Sequence, residues 1–134
     1  MVCTIEVRSY ELDSFGHVNN AVYLNYLETA RSLWFPEIGL SFDDIAAEGI
    51  QIVIAEANIR YLAPARFGDR IRIEGGIDSV GPASLIWRYR LVRERDGVEL
   101  ATASTTGVCI DPITGKPRRW PERFRGAYAL LTPD

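Results

Sequence analysis

Eight consecutive residues, Asp13-Ser14-Phe15-Gly16-His17-Val18-Asn19-Asn20, bring together a carboxylate, a flexible glycine, the chain's only histidine and the start of a helical pattern. The first N–H groups of a helix have no intrahelical partners and carry partial positive charge, so they can hold an oxygen on which negative charge develops. Asp13 lies a few residues upstream of that start. It could approach the same carbonyl carbon as a nucleophile forming a mixed anhydride, or as a general base aligning a water. Either role needs an ionised carboxylate. The main-chain N–H of Asn20 is the oxyanion candidate. An Asp shortly before a Gly also serves to cap a turn, so residue types alone leave both readings of Asp13 open.

The neighbours divide in the same way. His17 could orient Asp13, hydrogen-bond a substrate or simply hold the loop. The side chains of Asn19 and Asn20 suit a helix cap better than a substrate contact. Tyr23 heads an apolar helical stripe and is either a core residue or part of an acyl pocket. Arg60 and Arg66 stand at strand and turn positions where a guanidinium could meet the phosphates of a substrate, or could simply be solvated. With one histidine and two distant cysteines, Cys3 and Cys109, no zinc or iron ligand set can be assembled. The expected chemistry uses neither metal nor cofactor, and the thiols are expected reduced and buried.

The elements that must position these residues follow from periodicity. Residues 2 to 8 are rich in β-branched side chains and predict a first strand. Tyr23, Tyr26, Leu27, Ala30, Leu33 and Trp34 recur at spacings of three and four, predicting a helix from about 21 to 35, capped by Asn19 or Asn20 and stopped by Pro36. Asn25, Glu28, Thr29 and Ser32 take its opposite face, and Glu28 and Arg31 are spaced for an ion pair. A shorter helical turn is expected over 41 to 48 with Ser41 as its cap. Strands are predicted over 50–62, 69–79, 83–95 and 98–110, with Asp96-Gly97 as a hairpin turn. Ile71 and Ile73, then Leu85, Trp87, Tyr89 and Leu91, alternate with charged residues, so these strands each have one wet face. One strand, one long helix and four further strands predict an α+β domain: a helix packed on an antiparallel sheet whose last four strands form a meander. One helix covers only part of a five-stranded face, so self-association is expected.

At 134 residues and 47% hydrophobic, one domain over 1–134 is expected. No run approaches the roughly 20 apolar residues of a membrane span, and residues 1 to 6 lack the pattern of a signal peptide. A soluble, cytoplasmic protein that binds no membrane follows as the expectation. A net charge of −3 speaks against a general nucleic-acid partner. The local balance differs between Lys116 and Arg125, where Lys116, Arg118, Arg119, Arg123 and Arg125 face one acid, Glu122. That patch could meet phosphates or an acidic partner, or could merely be solvated.

The run GHVNNAVYLNYLETAR, with an Asp four residues before its histidine, resembles the signature of hotdog-fold acyl-CoA thioesterases related to hydroxybenzoyl-CoA thioesterase. VIAEANIRYLAPARFGDRIRIEGGI and VELATASTTGVCID followed by TGKPRRWP extend the resemblance over nearly the whole chain. It implies a long helix wrapped by a five-stranded antiparallel sheet, paired into homodimers or homotetramers with active sites at the subunit interface. It also implies hydrolysis of an acyl-CoA thioester, with Asp13 as the catalytic carboxylate and the Asn20 N–H polarising the thioester carbonyl. Related sequences often carry Asp-x-Asp where this chain has Glu11-Leu12-Asp13, and Glu11 is expected to be structural. The alternatives that stay open are a thioesterase acting on acyl carrier protein and a non-catalytic acyl-CoA binding protein. A hotdog dehydratase fits the Asp-x-x-x-His order poorly.

Overall fold

The computed structural model describes residues 1–129; the end of the expected domain, 130–134, lies outside the described residues. The elements are β1 (Val2–Glu6), a 3₁₀ turn (Ser9–Glu11), α1 (Val22–Glu37), α2 (Phe42–Ala47), β2 (Gln51–Tyr61), β3 (Arg70–Val80), β4 (Ser84–Arg93), β5 (Glu99–Ile110) and α3 (Glu122–Ala129). The five strands form one sheet in the order β1-β3-β4-β5-β2. The chain gathers into two compact units, one built from Met1–Trp34, Ile59–Gly75 and Tyr89–Ala103, the other from Phe35–Asn58, Gly76–Arg88 and Ser104 onward.

The first unit carries most of α1. Tyr23, Tyr26, Leu27, Ala30 and Trp34 are buried, as their spacing predicts. Leu33 departs from the expected stripe and is 53% exposed. It sits at the stripe's margin, while Arg31 on the other flank is buried, its guanidinium donating to Glu28 at 2.6 Å and to the Tyr89 hydroxyl at 2.9 Å. Two donor contacts to oxygen acceptors make that burial tolerable. Trp34 stacks on Tyr89, ring centroids 5.9 Å apart. On β1 and β3, Cys3 faces Ile73 and Ile5 faces Ile71 across an antiparallel ladder.

In the second unit α1 runs on to Glu37, two residues past the expected stop. Pro36 removes one amide from the last turn on an exposed flank, where water can serve the freed carbonyl. The helix ends instead at Gly39, whose φ of +80° suits a residue without Cβ. The Leu40 and Gly39 amides return to the Phe35 and Pro36 carbonyls at 3.0 Å each, the two bonds of a Schellman motif. Ser41 caps α2 as expected, its hydroxyl accepting from the Asp44 N–H while Asp44 accepts from the Ser41 N–H at 2.7 Å.

One expectation is corrected. The last four strands are not a simple meander: β3, β4 and β5 run in sequence, but β2 lies beside β5 at the edge of the sheet. The connection from Leu62 to Asp69 is too long for a two-residue hairpin, and β1 takes the place beside β3 that a meander would give to β2. The basic segment also contains a helix, α3, on which Phe124 and Tyr128 are buried one turn apart and pack with Trp120. Among the described residues, no helix is long and apolar enough to cross a membrane.

Candidate active site

A tight hairpin presents Asp13. Leu12 and Val18 form a bridge, the Asp13 N–H donates to the His17 carbonyl at 2.7 Å, and the Gly16 N–H returns to the Asp13 carbonyl at 3.1 Å. Gly16, at φ +77°, supplies the left-handed residue that closes such a turn. Within it Asp13 Oδ1 accepts from the Phe15 N–H at 2.8 Å and the His17 N–H at 3.1 Å. The turn-capping reading and the catalytic reading therefore fall on different atoms. Oδ1 holds the turn, while Oδ2 accepts no hydrogen bond among the described residues.

Past the hairpin the chain enters α1, and its backbone donors can be followed one by one. Val18 N–H donates to the Ala65 carbonyl, Asn19 N–H to the Glu11 carbonyl, Ala21 N–H to Asn19 Oδ1 and Val22 N–H to the Asn19 carbonyl, all at 2.8–2.9 Å. The Asn20 N–H alone in this run has no acceptor among the described residues. Asn19, rather than Asn20, supplies the side-chain cap. The Asn20 carbonyl accepts from the Tyr61 hydroxyl at 2.8 Å.

Asp13, His17, Asn20 and Tyr23 line one cleft of about 340 Å³, completed by Val18 and by Tyr61–Pro64 at the end of β2. Four of the six residues singled out from the sequence thus come together. Tyr23 is both core and cleft: it is 3% exposed, and Tyr61 meets its ring edge-on with centroids 5.1 Å apart. Burial, with Tyr61 adding a smaller push, raises the Tyr23 phenol to about 12. Burial also raises the Tyr61 phenol, so each hydroxyl is a neutral donor near pH 7.

Arg66 does not line the cleft but pairs with His17 in an isolated bridge, its Nη2 3.5 Å from His17 Nε2. A guanidinium can only donate, so this long contact suits the imidazole tautomer with the proton on Nδ1. The His17 ring therefore faces Arg66, and it is the His17 main chain that steadies Asp13. Asp69 fixes the Arg66 turn by accepting the Arg66 N–H at 2.9 Å. Arg60 is exposed on β2 and lines no part of the cleft.

Glu11 takes the structural place expected of it. It is buried, and its Oε1 accepts from the Arg8 N–H at 2.7 Å and the Tyr26 hydroxyl at 3.0 Å. Burial first, and then that bond to Glu11, pushes the Tyr26 phenol up. In the basic segment Arg118 donates to the Glu48 and Gly49 carbonyls at 3.3 Å, and Arg123 pairs with Asp44 at 3.0 Å. No group of three or more His, Cys, Asp or Glu among the described residues could hold a metal ion.

Sequence reasoning gave Tyr61 no role of its own. Its contact with Asn20 spans 41 residues, and the period of an isolated strand carries no signal of that kind.

This chain is similar to known proteins along its length. Residues 7–128 match the model of the thioesterase-like superfamily. It is 38% identical over 117 residues to the long-chain acyl-CoA thioesterase FadM of Escherichia coli, covering 87% of each chain. It is 31% identical over 124 residues to the chloroplastic acyl-acyl carrier protein thioesterase ATL3 of Arabidopsis thaliana; the match takes in 92% of this chain and spans only 65% of that relative's length. Among solved structures, the hypothetical protein TT1821 of Thermus thermophilus superposes with a TM-score of 0.89 at 33% identity, over 97% of this chain and 98% of the other. The sheet order, the helix set and these matches agree: the chain has the α+β hotdog fold and belongs to the thioesterase-like superfamily.

Proposed function

We infer that this protein hydrolyses acyl-CoA thioesters, with Asp13 as the catalytic carboxylate and the Asn20 N–H as oxyanion donor. What carries the reading is one pairing on one cleft. Among the described residues, Asp13 Oδ2 and the Asn20 N–H are left without partners in a segment whose other amides from Val18 to Val22 are engaged. A carboxylate oxygen and an N–H donor are the two groups that addition to a thioester carbonyl needs.

As general base, Asp13 takes a proton from water as the water oxygen bonds to the carbonyl carbon. The oxyanion so formed meets the Asn20 N–H; the C–S bond then breaks and the thiolate recovers a proton from Asp13. As nucleophile, Asp13 bonds to the carbon itself, the thiolate leaves, and water opens the mixed anhydride. Single turnover in isotope-labelled water separates these routes, because only the anhydride route can place label in the Asp13 carboxylate. His17 holds the hairpin, Tyr23 and Tyr61 wall the cleft, and no metal or cofactor takes part. Arg60 and Arg66 lie outside the cleft, where their guanidinium groups could meet only the distal phosphates of coenzyme A.

The reading treats the chain as one soluble, cytoplasmic domain acting as a homodimer or homotetramer. β2 is a long sheet-edge strand, exposed along almost its whole length, with Val53 39% and Ile54 41% exposed. Such an edge invites a second copy. A monomeric mass in solution would remove this part of the reading.

The test is free-thiol release from short, long and aromatic acyl-CoA thioesters by wild type and Asp13→Asn. The variant keeps its fold and loses at least about 100-fold in kcat/KM. Undiminished turnover would exclude Asp13 as catalyst. A second reading, hydrolysis of acyl carrier protein thioesters, draws on the likeness to ATL3; it predicts carrier-bound substrates turned over far faster than CoA esters. Wild type that binds acyl-CoA and hydrolyses neither substrate would be an acyl-CoA binding protein.

A further inference from the structure

We propose that Tyr61 is a positioning residue of this site: its hydroxyl sets the peptide that follows Asn20 and thereby the pose of the Asn20 N–H. The inference rests on the thioesterase reading of the cleft.

The peptide joining Asn20 to Ala21 is held at both of its polar atoms by side chains. Its carbonyl accepts from the Tyr61 hydroxyl at 2.8 Å, and its N–H donates to Asn19 Oδ1 at 2.9 Å. The peptide joining Val18 to Asn19 is fixed by the Glu11 carbonyl at 2.9 Å. The peptide between these two bears the unengaged Asn20 N–H, and its carbonyl accepts from Val22. A donor of this kind works by arriving already oriented, so the groups that fix its neighbours set its effectiveness.

Tyr61 is suited to the task. Its ring packs edge-on against buried Tyr23, which gives the hydroxyl a rigid support. It reaches Asn20 from β2, so the helix entry is pinned by a second element and not by its own loop alone. Removing the hydroxyl leaves the ring contact intact and frees one end of the peptide.

The test measures Tyr61→Phe, Asn19→Ala and their double variant, with wild type and Asp13→Asn as references. An oriented oxyanion donor acts mainly in the transition state, so kcat falls about tenfold in each single variant while KM stays within about twofold. Both side chains hold one peptide, so the double variant loses clearly less than the product of the single losses. A rise in KM at constant kcat would make Tyr61 an ordinary wall of the cleft and overturn the proposal, as would multiplicative losses. An activity-independent measure is the exchange of the Ala21 amide, which quickens roughly fivefold or more in Tyr61→Phe; unchanged exchange overturns the proposal whatever the turnover. Wild type inert on CoA and carrier-protein thioesters, or Asp13→Asn at full rate, instead defeats the thioesterase reading. Full kcat in Tyr61→Phe beside a dead Asp13→Asn defeats the Tyr61 assignment alone.

Discussion

Two stretches of this chain draw the eye for their chemistry, the hairpin and helix entry from Asp13 to Ala21 and the basic run from Lys116 to Arg125, and the structure treats them differently. In the first, hydrogen bonds engage most of the backbone amides, and beside a cleft Asp13 Oδ2 and the Asn20 N–H stay without partners among the described residues. In the second, two of the five cations are engaged within their own unit: Arg118 on the carbonyls after α2, Arg123 on the Asp44 carboxylate and the Gly39 carbonyl. A count of charged residues ranks the basic run first. The cleft ranks the hairpin first: Asp13 and Asn20 line one concave site with groups the fold leaves unengaged among the described residues, whereas no residue of the basic run lines that cleft.

The contrast is broken most directly at the hydrogen bond that supports the hairpin from below. Tyr26→Phe removes the hydroxyl that donates to buried Glu11 and leaves that carboxylate one donor short. Hydrogen bonds to charged groups contribute about 1.5–3 kcal/mol, so unfolding shifts down by roughly 5–10 °C. Calorimetry checks this. A melting point unchanged within about 1 °C would mean that the Glu11 clamp does not hold the Asp13 hairpin to α1.

A smaller effect sharpens the other half of the contrast. Arg118→Ala together with Arg123→Ala removes two ties around α2 that are largely solvent-exposed, with a combined cost of about 1 kcal/mol and a few degrees in melting temperature. Hydrolysis should keep its wild-type kcat and KM. A KM for acyl-CoA that rises severalfold at constant kcat would return the basic run to the substrate and overturn the ranking above.

The difference between the two stretches also marks what was legible in the sequence. Spacings of three and four exposed the buried face of α1, and alternation exposed Leu85, Trp87, Tyr89 and Leu91 on β4, because local periods are set by local geometry. The capping residue of α2 was readable for the same reason, since Ser41 and Asp44 satisfy each other three residues apart. Asp13, His17 and Asn20 were readable because the hairpin and the helix start that bring them to one cleft are contiguous. β2 gave no alternation to read, being exposed along both faces, so its place beside β5 was hidden. Tyr61 was hidden with it. Helix α3 was overlooked for another reason: its charges suggest a solvated tail, although Pro121, Glu122 and the Phe124–Tyr128 spacing together form a helix-start and core-face signal.

The smallest expected effect concerns Asp44, where the basic run and α2 meet. The Ser41 N–H, then the Ser41 hydroxyl, and then Arg123 hold the Asp44 carboxyl below its ordinary value of 3.8. A carboxyl whose folded value is depressed binds its proton less tightly when folded, so it stabilises the fold above the unfolded value and loses that contribution as pH falls through the folded one. Melting temperature should therefore decline on acidification below about pH 4, and the decline should be shallower in Asp44→Asn, which has no such proton to take up. The Asp44 side chain is half-buried but its Arg123 partner reaches solvent, so added salt should remove the Arg123 share and leave the Ser41 share. Identical acid profiles for wild type and variant would show that the Ser41–Asp44 cap contributes through shape rather than charge. The basic run would then be tied to α2 by the carbonyl contacts of Arg118 and Arg123 alone.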